Sequence, residues 1–97
     1  MTFRTHSWDL EIAHQLQTDK KYARLFIEEL VKDGQDPEEV LRRVVRAYGI
    51  TELSQRTDLK PQSIVRLLRA PERAKESTLN QLLKPLGVKV RRRLAFV

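Results

Sequence analysis

Ninety-seven residues, 40% of them hydrophobic, suffice for one domain with one modest core and are too few for two. The absence of cysteine excludes disulfides and thiolate metal sites, and no apolar run approaches the ~20 residues of a membrane helix, so a cytoplasmic protein without a membrane partner is expected. The net charge of +6 is unevenly spread: residues 1–49 hold eight Lys/Arg against nine Asp/Glu, whereas residues 50–97 hold eleven against four, the kind of imbalance that phosphate neutralisation requires.

The opening stretch MTFRTHSW has no signal-peptide hydrophobic region. Thr2–Ser7 alternates weakly and carries two β-branched threonines, which allows a short strand. Trp8, Ile12 and Leu16 then recur every four residues and predict a helix from about Ser7, its candidate cap, to Gln17. Trp8 is expected in the core in preference to an interface, within an N-terminal extension of residues 1–17. His6 and His14 stand eight apart with no acidic partner suitably placed, so they read as surface residues and no metal site or cofactor is expected.

Thr18-Asp19 is a cap signal for a helix over about Lys20–Asp33, which Gly34 ends in a left-handed position. Asp36-Pro37-Glu38-Glu39 opens the next helix with a cap, a proline at the first position and two acids near the positive end of its dipole. Val40, Leu41, Val44, Val45 and Tyr48 share its inward face, while Arg42, Arg43 and Arg46 face outward. Gly49 closes it.

Thr51–Arg69, TELSQRTDLKPQSIVRLLR, reads as two short helices joined by a tight turn. Thr51 is the expected cap of the first, Leu53 its apolar contact, and small Ser54 permits a close crossing. Thr57-Asp58 makes a poor helix interior, because short polar side chains compete for backbone hydrogen bonds. Leu59 plugs the corner, and Pro61 restarts the helix where its missing N–H costs nothing. Ile64, Leu67 and Leu68 fall on one face, leaving Gln62, Ser63, Arg66 and Arg69 outward.

A helix–turn–helix that presents Gln and Arg from its second helix is the arrangement that reads the DNA major groove. Gln pairs with an adenine edge and Arg with a guanine edge, so Gln62, Ser63 and Arg66 are the candidate base contacts. Lys60, Arg69, Arg73 and Lys75 are candidate phosphate contacts, with Thr51 and Arg56 as further ones from the first helix. One such helix reads a half-site, so a homodimer on a palindromic operator is expected.

A loop over Ala70–Glu76 leads to a last helix that starts near Ser77, carries Leu79, Leu82 and Leu83, and ends before Pro85. In VKVRRRLAFV the period changes: Val88, Val90, Leu94 and Phe96 keep one parity, which is strand spacing. A strand over Val88–Val97 needs a partner for its backbone: Thr2–Ser7 of the same subunit is the favoured one, with a dimer mate or the edge strand of a bound protein as the alternatives. The expected fold is therefore mainly α, a compact five-helix helix–turn–helix domain with a short terminal β element.

In this order the pieces resemble the HigA-like antitoxins, the addiction-module antidote branch of the Xre/Cro-type helix–turn–helix regulators. The resemblance spans roughly Thr18 to Val90. It rests on Tyr22-Ala23 after an acidic cap, Asp36-Pro37-Glu38, Tyr48-Gly49-Ile50, Thr51-Glu52-Leu53-Ser54 and Leu59 before the second helix. It continues through Ser63-Ile64, Arg66, Leu68, Thr78-Leu79 and Leu86-Gly87-Val88. The family usually has Ala at Ser54, Gly at Asp58 and Ser at Lys60, and the loop Pro71–Lys75 lacks its usual Gly-Asn-Pro pattern. Asp58 enters the left-handed region less readily than Gly, so the turn is expected to persist with some strain.

The resemblance implies a λ-repressor-like fold and a dimeric antitoxin of a type II toxin–antitoxin system. Such a protein neutralises a RelE-like toxin and represses its own operon. The residues alone also allow a phage-type repressor without a toxin, or a helical interaction module whose basic tail contacts RNA or acidic lipid. An enzyme is not expected: there is no Cys nucleophile, no strand-borne carboxylate pair and no glycine-rich phosphate loop.

Overall fold

The computed structural model describes residues 2–91 and 95–96, and the side chains of residues 8–91 and 96. Its elements in order are α1 (Thr2–Thr18), α2 (Lys20–Lys32), α3 (Pro37–Tyr48), α4 (Ile50–Thr57), α5 (Pro61–Arg69), α6 (Glu76–Leu83), β1 (Val90–Arg91) and β2 (Ala95–Phe96), with single 3-10 turns at Pro71–Arg73 and Lys84–Leu86. The mainly α architecture matches the expectation from sequence, with six helices among the described residues in place of five. No helix among these residues is long and apolar enough to cross a membrane.

The packing is built around α3. Val40, Leu41, Val44, Val45 and Tyr48 are fully buried, as their spacing predicts, and α1, α2, α4 and α5 all pack against this helix. Leu16, Ala23, Ile27, Leu53, Ile64 and Leu68 reach into the same core from those four helices, and Leu79, Leu82, Leu83 and Leu86 close it from below the turn. The radius of gyration, 12.8 Å, is close to the ~12.5 Å expected of a folded chain this long.

The helix ends are joined by side chains from neighbouring helices. The last carbonyls of a helix have no intrahelical partner, and burial makes them costly to leave bare. Gln17 Nε2 donates to Tyr48 O at 2.7 Å, Gln81 Nε2 to Thr57 O at 2.8 Å, and Arg42 Nε to Leu68 O at 2.8 Å. The C-termini of α3, α4 and α5 are thus each tied to another element. At the N-terminus of α2, Asp19 accepts from the N–H groups of Lys21 and Tyr22, as its cap position requires.

Both ends of the chain depart from expectation. Thr2–Ser7 is not a strand; it continues α1, so Ser7 is no cap and the helix begins some five residues earlier than the apolar stripe shows. The weak alternation there extends over too few residues to override a helix already running through Trp8–Thr18. The C-terminal stretch is not one strand paired to the N-terminus. It is two short antiparallel strands, with Val90 opposite Phe96 and Arg91 opposite Ala95. Pairing with a neighbour a few residues away closes a small loop, which costs far less chain entropy than reaching back across the molecule. Val88 and Val90 are buried and Phe96 half-buried, with Lys89 and Arg91 exposed, so the expected parity holds at these positions. Arg92, Arg93 and Leu94 lie outside the described residues. Val90 N–H donates to Asn80 Oδ1 at 2.8 Å, which fixes the hairpin to α6.

Trp8 is 68% exposed and does not enter the core. The α1 stripe is covered only from its second half: Ile12 packs against the core and Leu16 is buried, whereas Trp8 lies a turn beyond the body. His14 is exposed, as expected of a surface residue.

Candidate nucleic-acid interface

The turn between α4 and α5 is held by a set of local hydrogen bonds. Thr57 is buried, and its hydroxyl donates to Leu53 O at 2.7 Å while accepting from Leu59 N–H at 3.3 Å. Asp58 follows at φ 64°, the sole non-glycine with positive φ among the described residues, and its N–H donates to Ser54 O at 3.1 Å. The chain therefore places an aspartate where the left-handed conformation is needed, as its sequence position suggests, at a cost that glycine would not incur. Ser54 Oγ donates to Leu59 O, drawing the corner against α4. Leu59 packs half-buried on the core, and Pro61 stands in the first turn of α5.

Thr51 does not cap α4. The helix starts two residues earlier than that cap implies, at Ile50, with Gly49 in the cap position at φ 107° and no side-chain cap. The chain reverses at this glycine directly from α3 into α4, so no residue with a hydroxyl stands at the boundary. Thr51 lies exposed within the first turn.

α5 buries Ile64 and Leu68 and turns Gln62, Ser63, Arg66 and Arg69 to solvent, as the spacing predicts. Gln62, Arg66 and Arg69 recur at i, i+4 and i+7 and form one stripe, with Ser63 beside it. Beside this stripe runs a groove of about 380 Å³ lined by Ser63, Arg66, Arg73, Lys75 and Thr78, among others. Four of the candidate contact residues, distant in sequence, are thus gathered along one surface. The buried Pro71 opens the 3-10 turn that carries Arg73, and Lys75 occupies the position before α6. No carboxylate lies among the groove's described lining residues. Lys60, exposed just before α5, and Arg69, exposed in its last turn, do not line this groove.

Arg56 stands apart from this group. Its Nη1 donates to Gln17 O and to the Tyr48 hydroxyl, each at 2.8 Å, and its Nη2 pairs with Glu52 at 3.2 Å. The guanidinium also lies 5.8 Å from the centre of the Tyr48 ring. It borders a separate concavity with Gln17, Lys20, Gln81 and Lys84. Both bonds of Nη1 join α4 to α1 and α3, and Glu52 holds the guanidinium from within α4. Burial pushes the Tyr48 hydroxyl above its ordinary pKa, and the positive charge of Arg56 partly opposes that rise.

Three residues that serve this surface carry no clear signal in the sequence. Thr78 lines the groove from the first turn of α6. Gln81 and Arg42 hold the ends of α4 and α5 through carbonyls more than twenty residues away. Comparison of the chain with family models, with curated proteins and with solved structures finds no match.

Proposed function

We propose that this protein is a sequence-specific double-stranded-DNA-binding regulator that enters the major groove with α5. The observation that carries the reading is the outward face of α5: Gln62, Ser63 and Arg66 are exposed beside a groove that Arg73 and Lys75 also line. None of these side chains is engaged in a hydrogen bond or ion pair within the described residues, so their donors remain available to base edges and phosphates. Behind them the turn is hydrogen-bonded throughout, which keeps α5 pre-oriented for docking.

On this reading Gln62, Ser63 and Arg66 contact bases, while Lys60, Arg69, Arg73, Lys75 and Thr51 contact phosphates. Arg56 is reassigned from phosphate contact to holding α4 in place. The protein acts as a homodimer on a palindromic operator. Its finer role is that of a cytoplasmic antitoxin that neutralises a RelE-like toxin and represses its own operon. That role is supported by the sequence resemblance over Thr18–Val90, and co-purification of the untagged neighbouring gene product tests it.

DNA binding is tested by fluorescence anisotropy on a palindromic duplex selected from a random pool, over a series of salt concentrations. Arg73→Ala is expected to weaken binding to every duplex and to reduce the log–log salt slope by about one unit. Affinity for the selected duplex no greater than for scrambled DNA would overturn the reading.

A further inference from the structure

Leu25 and Val65 are exposed singly on α2 and α5, and two further apolar features of the described surface lie open. The first is the turn Trp8–Glu11 of α1, in which all four residues are exposed, Trp8 at 68% and Leu10 at 58%. Four residues go once around a helix, so no side of this turn is buried against the described residues. The second is a groove of about 290 Å³ between α2 and the C-terminal hairpin. Its apolar floor is formed by the buried Ile27 and Val88, its side by the half-buried Phe96, and its open apolar surface comes chiefly from Val31 at 49% exposure. Arg24, Glu28 and Lys32 complete the α2 wall, giving the rim an excess of one positive charge.

We propose that a second copy of this chain seats its Trp8 turn in this groove. The turn carries what the groove lacks. Trp8 and Leu10 offer apolar surface to Ile27, Val31, Val88 and Phe96, and a tryptophan with its body uncovered is among the strongest interface anchors. Asp9 and Glu11 flank them with two negative charges, and neither is in an ion pair among the described residues. Arg24 and Lys32 supply the opposite sign, with Lys32 likewise outside the ion pairs formed within the chain. Because each copy has one arm and one groove, a two-fold axis makes the contact twice and closes the assembly. The dimer deepens the DNA reading, from which it takes only the need for a second recognition helix.

Trp8 is the one tryptophan of the chain, so its emission reports the contact directly. The test follows the intact protein through a dilution series by sedimentation equilibrium and by tryptophan fluorescence. The expected result is a blue shift of the emission over the same concentrations at which the mass doubles. Trp8→Ala, followed by sedimentation, raises the dimer dissociation constant by about thirtyfold, and Val31→Asp does so comparably. Both sites are largely exposed, so far-UV circular dichroism is expected to be unchanged. Lys32→Glu weakens the dimer by about threefold to tenfold, and Glu11→Lys in the same chain restores part of the loss.

A mass that doubles with no change in emission, or with Trp8→Ala unaffected, would overturn the proposal and assign the dimer to another surface. A monomer at every concentration would overturn it too, leaving the groove to a different partner. The two readings fail separately. A monomer that still selects a half-site duplex leaves DNA binding in place, and a Trp8-dependent dimer with no DNA preference leaves the dimer in place.

Discussion

Two arginine-bearing regions of this molecule use the same side chain in opposite ways. In the groove beside α5, Arg66 and Arg73 project to solvent with their donors uncommitted. At the seam of α1, α3 and α4, Arg56 spends its donors on a carbonyl, a tyrosine hydroxyl and a carboxylate. Arg42 does the same at the end of α5. A guanidinium has five donors in a planar fork, and whether they face inward or outward depends on which helix face the residue occupies. Charge counted along the chain does not separate the two uses; an arginine that meets a helix C-terminus is structural, and one that meets water is available.

The contrast is sharpest in binding. Arg66→Ala is expected to reduce discrimination between operator and scrambled duplex by ~1–3 kcal/mol, with the unfolding midpoint unchanged. Anisotropy on the two duplexes beside a thermal melt checks both halves. A fall in Tm for this variant would place Arg66 among the structural arginines and break the comparison.

Arg56→Ala is expected to show the reverse pattern. Losing its contacts while leaving Gln17 O and the Tyr48 hydroxyl to find water should cost ~1–2 kcal/mol of stability. Urea unfolding measures that loss, and DNA affinity below the transition should stay within about twofold of the parent protein. A large loss of DNA affinity with no loss of stability would return Arg56 to the phosphate contacts.

Asp58 tests the turn that orients α5. Asp58→Gly is expected to stabilise the protein by ~0.5–1 kcal/mol, because glycine adopts positive φ without the Cβ clash. The gain is read as a higher urea midpoint at unchanged slope. A destabilised variant would show that the aspartate contributes more to the turn than its backbone conformation costs.

The smallest effect is expected at high pH. Tyr48 has its folded-state pKa raised by burial above the unfolded value of ~10. Its contribution is fully present below that unfolded value and is lost as pH rises through the folded pKa. Stability should therefore fall more steeply above about pH 10 in the parent protein than in Tyr48→Phe, and equal slopes would discount the buried hydroxyl.

What the sequence makes legible follows the range of the forces involved. The inward face of α3, the Asp19 cap, the turn at Asp58 and the outward stripe of α5 all depend on residues within about one or two helical turns, and each is found where its pattern points. The termini depend on competition between distant partners. Thr2–Ser7 offers a strand pattern but continues a helix, and Val90 pairs with Phe96 in place of the N-terminus. Trp8 has core chemistry and lies outside the core, because the body of the molecule reaches along α1 only as far as Ile12. The bonds from Gln17, Arg42 and Gln81 to remote helix ends have no local signature, since any exposed polar residue on those faces would read the same way. The exposed stripe of α5 was legible from its spacing; that Thr78 lines the same groove, and that Arg56 bonds to α1 and α3, required the packing.

The outward face of α5 carries none of the hydrogen bonds that close the turn. Leu53, Ser54, Thr57, Leu59 and Gln81 hold the turn together, while the side chains of Gln62, Ser63 and Arg66 bond to nothing among the described residues. Surface substitutions away from such networks usually move stability by no more than about 0.5 kcal/mol. Descendants of this chain could therefore exchange all three outward residues in few steps without crossing a less stable intermediate. Duplicated copies in one genome would then diverge quickly in what they recognise while keeping the same scaffold, and a library randomised at these three positions should fold almost throughout.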